Sequence, residues 1–127
     1  MNNLASAVLL LIGSLTAVYN DVPQKMMNLF DEAVAAAQMV STAGDLKTMS
    51  TMLDANYVMN RRLPRQNEFR AWLSDTFKEN NVKDLSVDHW GSPYLYLLSK
   101  DGRQYMLVSL GPDRLPGTAD DMKRTGP

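Results

Sequence analysis

The sequence predicts an α+β fold, a long N-terminal helix packed on a small antiparallel sheet. Three observations carry this. Residues 4–18 are uncharged and largely apolar, residues 24–60 space their apolar side chains at helical intervals, and two strand-like runs (94–99 and 104–110) flank a turn at 100–103. With 127 residues the chain can bury one modest core.

The first element has no charged side chain from Met1 to Asn20. As a helix such a segment spans about 30 Å, the hydrocarbon thickness of a bilayer. Residues 1–22 therefore read as a retained membrane-anchor helix. The competing reading is a cleaved secretory signal, but the segment lacks a basic start and has Leu15 where a small residue would precede the cleavage site.

Asn20 or Asp21 then offers a cap and Pro23 a first-turn proline for a second helical stretch. Over 24–60, Phe30, Val34, Ala37 and Val40 begin one apolar stripe, which Leu46, Met49, Leu53 and Tyr57 continue. The helix is expected to stop within 60–64, because Pro64 disfavours helical geometry at Leu63.

A variable segment follows over 61–87. Within it, 67–80 predicts a short amphipathic helix that turns Phe69, Trp72, Leu73 and Phe77 to the core. Arg61, Arg62, Arg65 and Arg70 form a basic cluster, either a solvated face or a contact for an acidic partner subunit. Residues 88–94 read as a turn with Trp90 and Tyr94 tucked beneath it, leading into the hairpin.

Composition narrows the function. A net charge of −1 and a pI near 5.7 provide no basic footprint for nucleic acid. The absence of cysteine removes disulfides and thiolate metal sites. Most of the nine methionines fall within helical patterns, and they read as gap-fillers. No serine-nucleophile motif or glycine-rich phosphate loop is present, and His89, the one histidine, reads as a surface turn residue. An enzyme is not indicated.

The chain closes with "SLGPDRLPGTADDM" over 109–122. Asp113, Asp120 and Asp121 are crowded into nine residues, and such carboxylates repel unless a cation or protons neutralise them. Gly111 and Gly117 allow the backbone to turn its carbonyls inward. The spacing is not that of an EF-hand. On residue chemistry alone a hard-cation site and a solvated acidic turn both remain open.

Three stretches carry a resemblance: "LDANYVMNRRLP", "DHWGSPYLY" and, after the hairpin, "YMLVSLGPDRLPGTADDM". Together they resemble the major pseudopilin of the type II secretion system, within the type IV pilin-like family. The resemblance implies a pilin-like fold and a structural role in a membrane-rooted filament. It implies one calcium ion in the terminal loop, with side-chain oxygens from Asp113, Asp120 and Asp121 and backbone carbonyls from Leu110 and Thr118. Its partners would be further copies or other pilin-like subunits and, through the N-terminal helix, the membrane. No nucleic acid or small-molecule substrate is implied. The location would be the bacterial inner membrane, facing the periplasm, or an extracellular filament.

The N-terminus departs from the family pattern. Members carry a basic leader ending in glycine, then an aromatic residue and, four positions on, a glutamate. Counted from Met1, that position holds Ala5, and the first glutamate is Glu32. The alternatives are a secreted, non-polymerising calcium-binding domain and the globular half of a split pilin.

Overall fold

The computed structural model describes residues 23–77 and 85–127. The proposed anchor at 1–22 and the end of the expected 67–80 helix lie outside the described residues. Two compact units divide the chain, Met1–Ala36 and Ala37–Pro127.

Helix α1, Gln24–Asn60, runs through both units. Among the described residues no helix is long and apolar enough to cross a membrane. The Pro23 carbonyl opens α1 by accepting from the Met26 amide at 2.7 Å, using a proline where no amide is needed. In the first unit, Met26, Met27, Leu29, Phe30 and Val34 are all exposed, Phe30 at 69%.

In the second unit α1 buries Thr42, Asp45, Leu46, Met49, Ser50 and Leu53, spaced three and four apart. The apolar stripe is therefore not continuous: Leu46, Met49 and Leu53 enter the core, whereas Phe30, Val34 and Val40 face outward. Helical spacing assigns residues to a face but cannot say which turns of that face are covered. At the C-terminal end, Arg61 takes a left-handed φ of 55° and its amide returns to the Tyr57 carbonyl at 2.8 Å.

Helix α2, Phe69–Thr76, begins at Phe69 rather than at the expected Asn67. It buries Phe69 and Leu73, with Trp72 and Phe77 packed against them. Phe69 stacks on Tyr96 at a centroid distance of 4.3 Å.

The sheet has three antiparallel strands in the order β1–β2–β3: β1 Leu95–Leu98, β2 Tyr105–Ser109 and β3 Met122–Gly126. The first two form the expected hairpin, and Gly102 (φ 70°) turns it. The third strand, "MKRTG", has no apolar alternation and becomes a strand by pairing with β2. On the outer edge of β1 the Gln66 side chain imitates a further strand. Its amide donates to the Tyr96 carbonyl and its oxygen accepts from the Leu98 amide.

Tyr96, Tyr105 and Leu107 face the core, and their tyrosine hydroxyls are tied off individually. Tyr96 donates to the Pro64 carbonyl at 2.7 Å. Tyr105 donates to the Asp54 carboxylate at 2.7 Å, with the Ser50 hydroxyl at 2.6 Å. Tyr94 is also buried, whereas Trp90, expected beneath the turn, is only half-buried.

Burial pushes Tyr96 and Tyr105 up to about 12 from the ordinary 10.0, and the Asp54 carboxylate reinforces the rise at Tyr105. Tyr94 is raised too, by burial and then by the Asp45 and Asp88 charges. Because these pKa values are raised on folding, the unfolded chain loses the phenolic protons first. Stability is therefore full below about pH 10 and falls as pH climbs toward about 12. Urea midpoints taken at intervals from pH 7 to 12 should stay level with respect to these groups until about pH 10, then drop. A midpoint that stays level to pH 12 would contradict the buried tyrosine cluster.

Candidate metal-binding loop

The terminal loop is the connection between β2 and β3, residues 110–121. Ser109 pairs directly with Met122 in the ladder, so Leu110 and Asp121 flank the mouth of the loop. Gly111 closes that mouth. Its φ is +71°, and a β-carbon there would lie 2.2 Å from the Asp120 backbone oxygen, so only glycine permits this approach. Leu110, Asp120 and Asp121 are thus brought to one end of the loop.

Thr118 joins them through its carbonyl, which accepts from the Asp121 amide at 3.2 Å. Its hydroxyl stands 3.5 Å from Asp121 Oδ1, while Asp121 Oδ2 accepts from the Gly117 amide at 2.8 Å. Asp113 makes a local turn, its Oδ1 accepting from the Leu115 amide at 3.0 Å. The three carboxylates do not converge: among the described residues no three His, Asp or Glu side chains gather closely enough to hold a metal. Two of them are turned onto backbone amides, as repulsion between like charges favours.

The donor set nevertheless fits a hard cation. All five candidates, Leu110, Asp113, Thr118, Asp120 and Asp121, offer oxygen, in the mixture of carboxylate and carbonyl that calcium takes, and a bidentate carboxylate or water would bring them to the roughly six to eight oxygens it requires. The loop mouth is already closed, and no described hydrogen bond engages the Asp120 carboxylate. To ligate together, Asp113 and Asp121 would share or exchange their amide donors.

Two features of this region were not readable as site residues. Asp88 is 4% exposed, and its Oδ1 accepts from the Trp90 and Ser92 amides at 3.0 and 2.9 Å. Its Oδ2 accepts from the Ser109 hydroxyl at 2.7 Å. The signal available was an aspartate heading a Gly-Ser turn, a common Asx-turn pattern. His89, expected at the surface, is partly buried instead and grips α1. Its Nε2 lies 3.1 Å from Asp45 Oδ2, its amide donates to Thr42 Oγ1 at 3.4 Å and its carbonyl accepts from Gln38. Polar residues at 38, 42 and 45, one helix face apart, were the signal there.

In the basic cluster, Glu68 accepts from Arg62 at 2.6 Å and lies 3.9 Å from Arg65. The adjoining Arg65 amide and the Arg62 guanidinium hold its carboxyl below the usual range. Exposed on every side, these pairs add little stability.

The same arrangement of a long helix, a β-hairpin and a closing loop occurs in known proteins. Residues 28–125 match the family "Type II secretion system (T2SS), protein G". The type II secretion system core protein G of Pseudomonas aeruginosa is 29% identical over 124 residues, covering 90% of this chain and 82% of its own. That of Escherichia coli K12 is 27% identical over 129 residues, with 94% and 84% covered. The crystal structure of the major pseudopilin from the type 2 secretion system of enterohaemorrhagic Escherichia coli superposes with a TM-score of 0.51 at 26% identity, covering 81% of this chain and 95% of that one. The terminal loop and nearly all of the helix and three-stranded sheet lie within one family match that spans most of the chain, and the protein belongs to the type II secretion system protein G family.

Proposed function

We propose that the protein is a structural subunit of a type II secretion pseudopilus, or of a related type IV pilus-like filament. Membership of the family supports this, as do the relatives named as a core secretion protein and as a major pseudopilin. The observation that carries the reading is the apolar surface of α1, where Met26, Met27, Leu29, Phe30 and Val34 stand exposed on consecutive turns. Isolated apolar residues on a surface are ordinary, but a run of them on one helix calls for a partner. In a filament that partner is the same helix of neighbouring subunits. The segment over 1–22, which carries no charge as far as Asn20, roots the subunit in the inner membrane with its globular part in the periplasm. Calcium held at 110–121 stiffens the outward-facing domain.

Phe30→Asp with Val34→Asp tests this, because charge on the apolar turns disfavours burial in any helix-to-helix contact. The full chain in detergent should self-associate in cross-linking and sedimentation, and the double variant should be at least tenfold weaker. Its melting temperature should change little, since both side chains are exposed. Equal self-association of the two proteins, or a parent chain that stays monomeric, would overturn the filament reading.

A further inference from the structure

Along β2 the inward-facing positions are Tyr105, Leu107 and Ser109, and Ser109 is as fully buried as Leu107, both at 0% exposure. A serine at the end of an apolar row forfeits burial energy and needs a polar partner. That partner is the equally buried Asp88 carboxylate, at 2.7 Å. The same Ser109 oxygen accepts from the Gly111 amide at 3.2 Å. One carboxylate therefore organises two backbones: the 88–92 turn through Oδ1 and, through Oδ2 and the Ser109 hydroxyl, the residue that closes the mouth of the terminal loop.

We propose that Asp88 and Ser109 are positioning residues for the 110–121 loop, a buried latch that holds Gly111 against the Asp120 backbone and so sets the affinity of the loop for a divalent cation. The second half of the proposal rests on the calcium reading above; the first does not. The three carboxylates do not preassemble, so binding must gather them. With Leu110, Asp120 and Asp121 already held at the mouth, fewer groups are left to order when the cation arrives. Releasing Gly111 would add the freedom of the mouth to that cost. The latch touches none of the cation-binding oxygens and acts through the backbone.

Ser109→Ala removes the bridging oxygen, leaving the Gly111 amide and Asp88 Oδ2 without their partner. Asp88→Asn is the milder variant. Its side-chain oxygen can still accept from the Trp90 and Ser92 amides, but its amide then donates to Ser109, whose own proton loses its acceptor. Two measurements on the full chain in detergent decide the matter. The first is titration with calcium chloride by calorimetry. The second is the rate of proteolytic cleavage within 110–121 in chelator, with tryptophan near-ultraviolet dichroism reporting whether the fold is retained. Ser109→Ala should raise the calcium dissociation constant at least tenfold, Asp88→Asn several-fold, and both should speed loop cleavage in chelator. A merely structural role would lower the melting temperature equally with and without calcium and leave the dissociation constant of the folded protein unchanged, which would overturn the proposal. If the parent chain binds no calcium, the cation reading and the affinity half of the proposal fall together. The latch then stands on faster cleavage in a still-folded Asp88→Asn, and falls if cleavage is unchanged.

Discussion

Leu53→Ala should be among the most damaging single changes in the protein, costing about 3–4 kcal/mol. Leu53 is 0% exposed in α1 and belongs to the cluster with Met49, Tyr96, Tyr105 and Leu107, where helix and sheet meet. Truncation removes the transfer energy of three carbons and leaves a cavity that tyrosine rings and a β-strand cannot collapse to fill. Urea denaturation should show a lower midpoint with an unchanged slope, and the melting temperature should fall by roughly 10 °C or more. Val58→Ala, on the same helix but 67% exposed, should cost no more than about 0.5 kcal/mol. If the two substitutions cost the same, this face of α1 is not the core.

Removing calcium should produce the second large effect. A ligand that binds only the folded state stabilises it by RT ln(1 + [L]/Kd), about 2.7 kcal/mol at a hundredfold excess over Kd. A chelator should therefore lower the melting temperature and open 110–121 to protease, and calcium should reverse both. Magnesium should restore little, since it demands a tight octahedron and sheds water reluctantly.

The individual carboxylates should separate. No described hydrogen bond engages the Asp120 carboxylate, so Asp120→Ala should be nearly silent in chelator while abolishing the calcium response. Asp121 holds the Gly117 amide and Asp113 the Leu115 amide. Asp121→Ala and Asp113→Ala should therefore lose the calcium response and also destabilise the chelated protein, by about 1 kcal/mol each. Identical melting and proteolysis of the parent chain in calcium and in chelator would end the metal assignment.

How much could be read beforehand follows from the range over which each interaction acts. The end of α1 is a local matter: Pro64 restricts the residue before it and Arg61 takes the left-handed turn within four residues of the last helical bond. The β1–β2 hairpin is equally local, with strand-forming runs on either side of Gly102. The core positions Leu46, Met49 and Leu53 follow from helical spacing, whereas the five oxygen donors proposed for the loop are those that the family resemblance implies.

By itself, then, the sequence determined the α+β class, the inner face of the helix, the hairpin and the composition of the loop, because spacing, turn chemistry and motif are properties of neighbouring residues. Tertiary structure alone decided the rest. Strand β3 exists because β2 offers it a ladder, since "MKRTG" has no apolar pattern of its own. Within the second unit, α1 buries Leu46, Met49 and Leu53 and leaves Val40 and Val58 exposed, because the sheet lies against only one side of it. Asp88 and Ser109 are 21 residues apart in sequence and meet at 2.7 Å, as do Asp45 and His89, 44 apart, at 3.1 Å. A buried polar group must find a partner wherever the fold brings one, and a contact across such separations leaves no periodic trace in the chain.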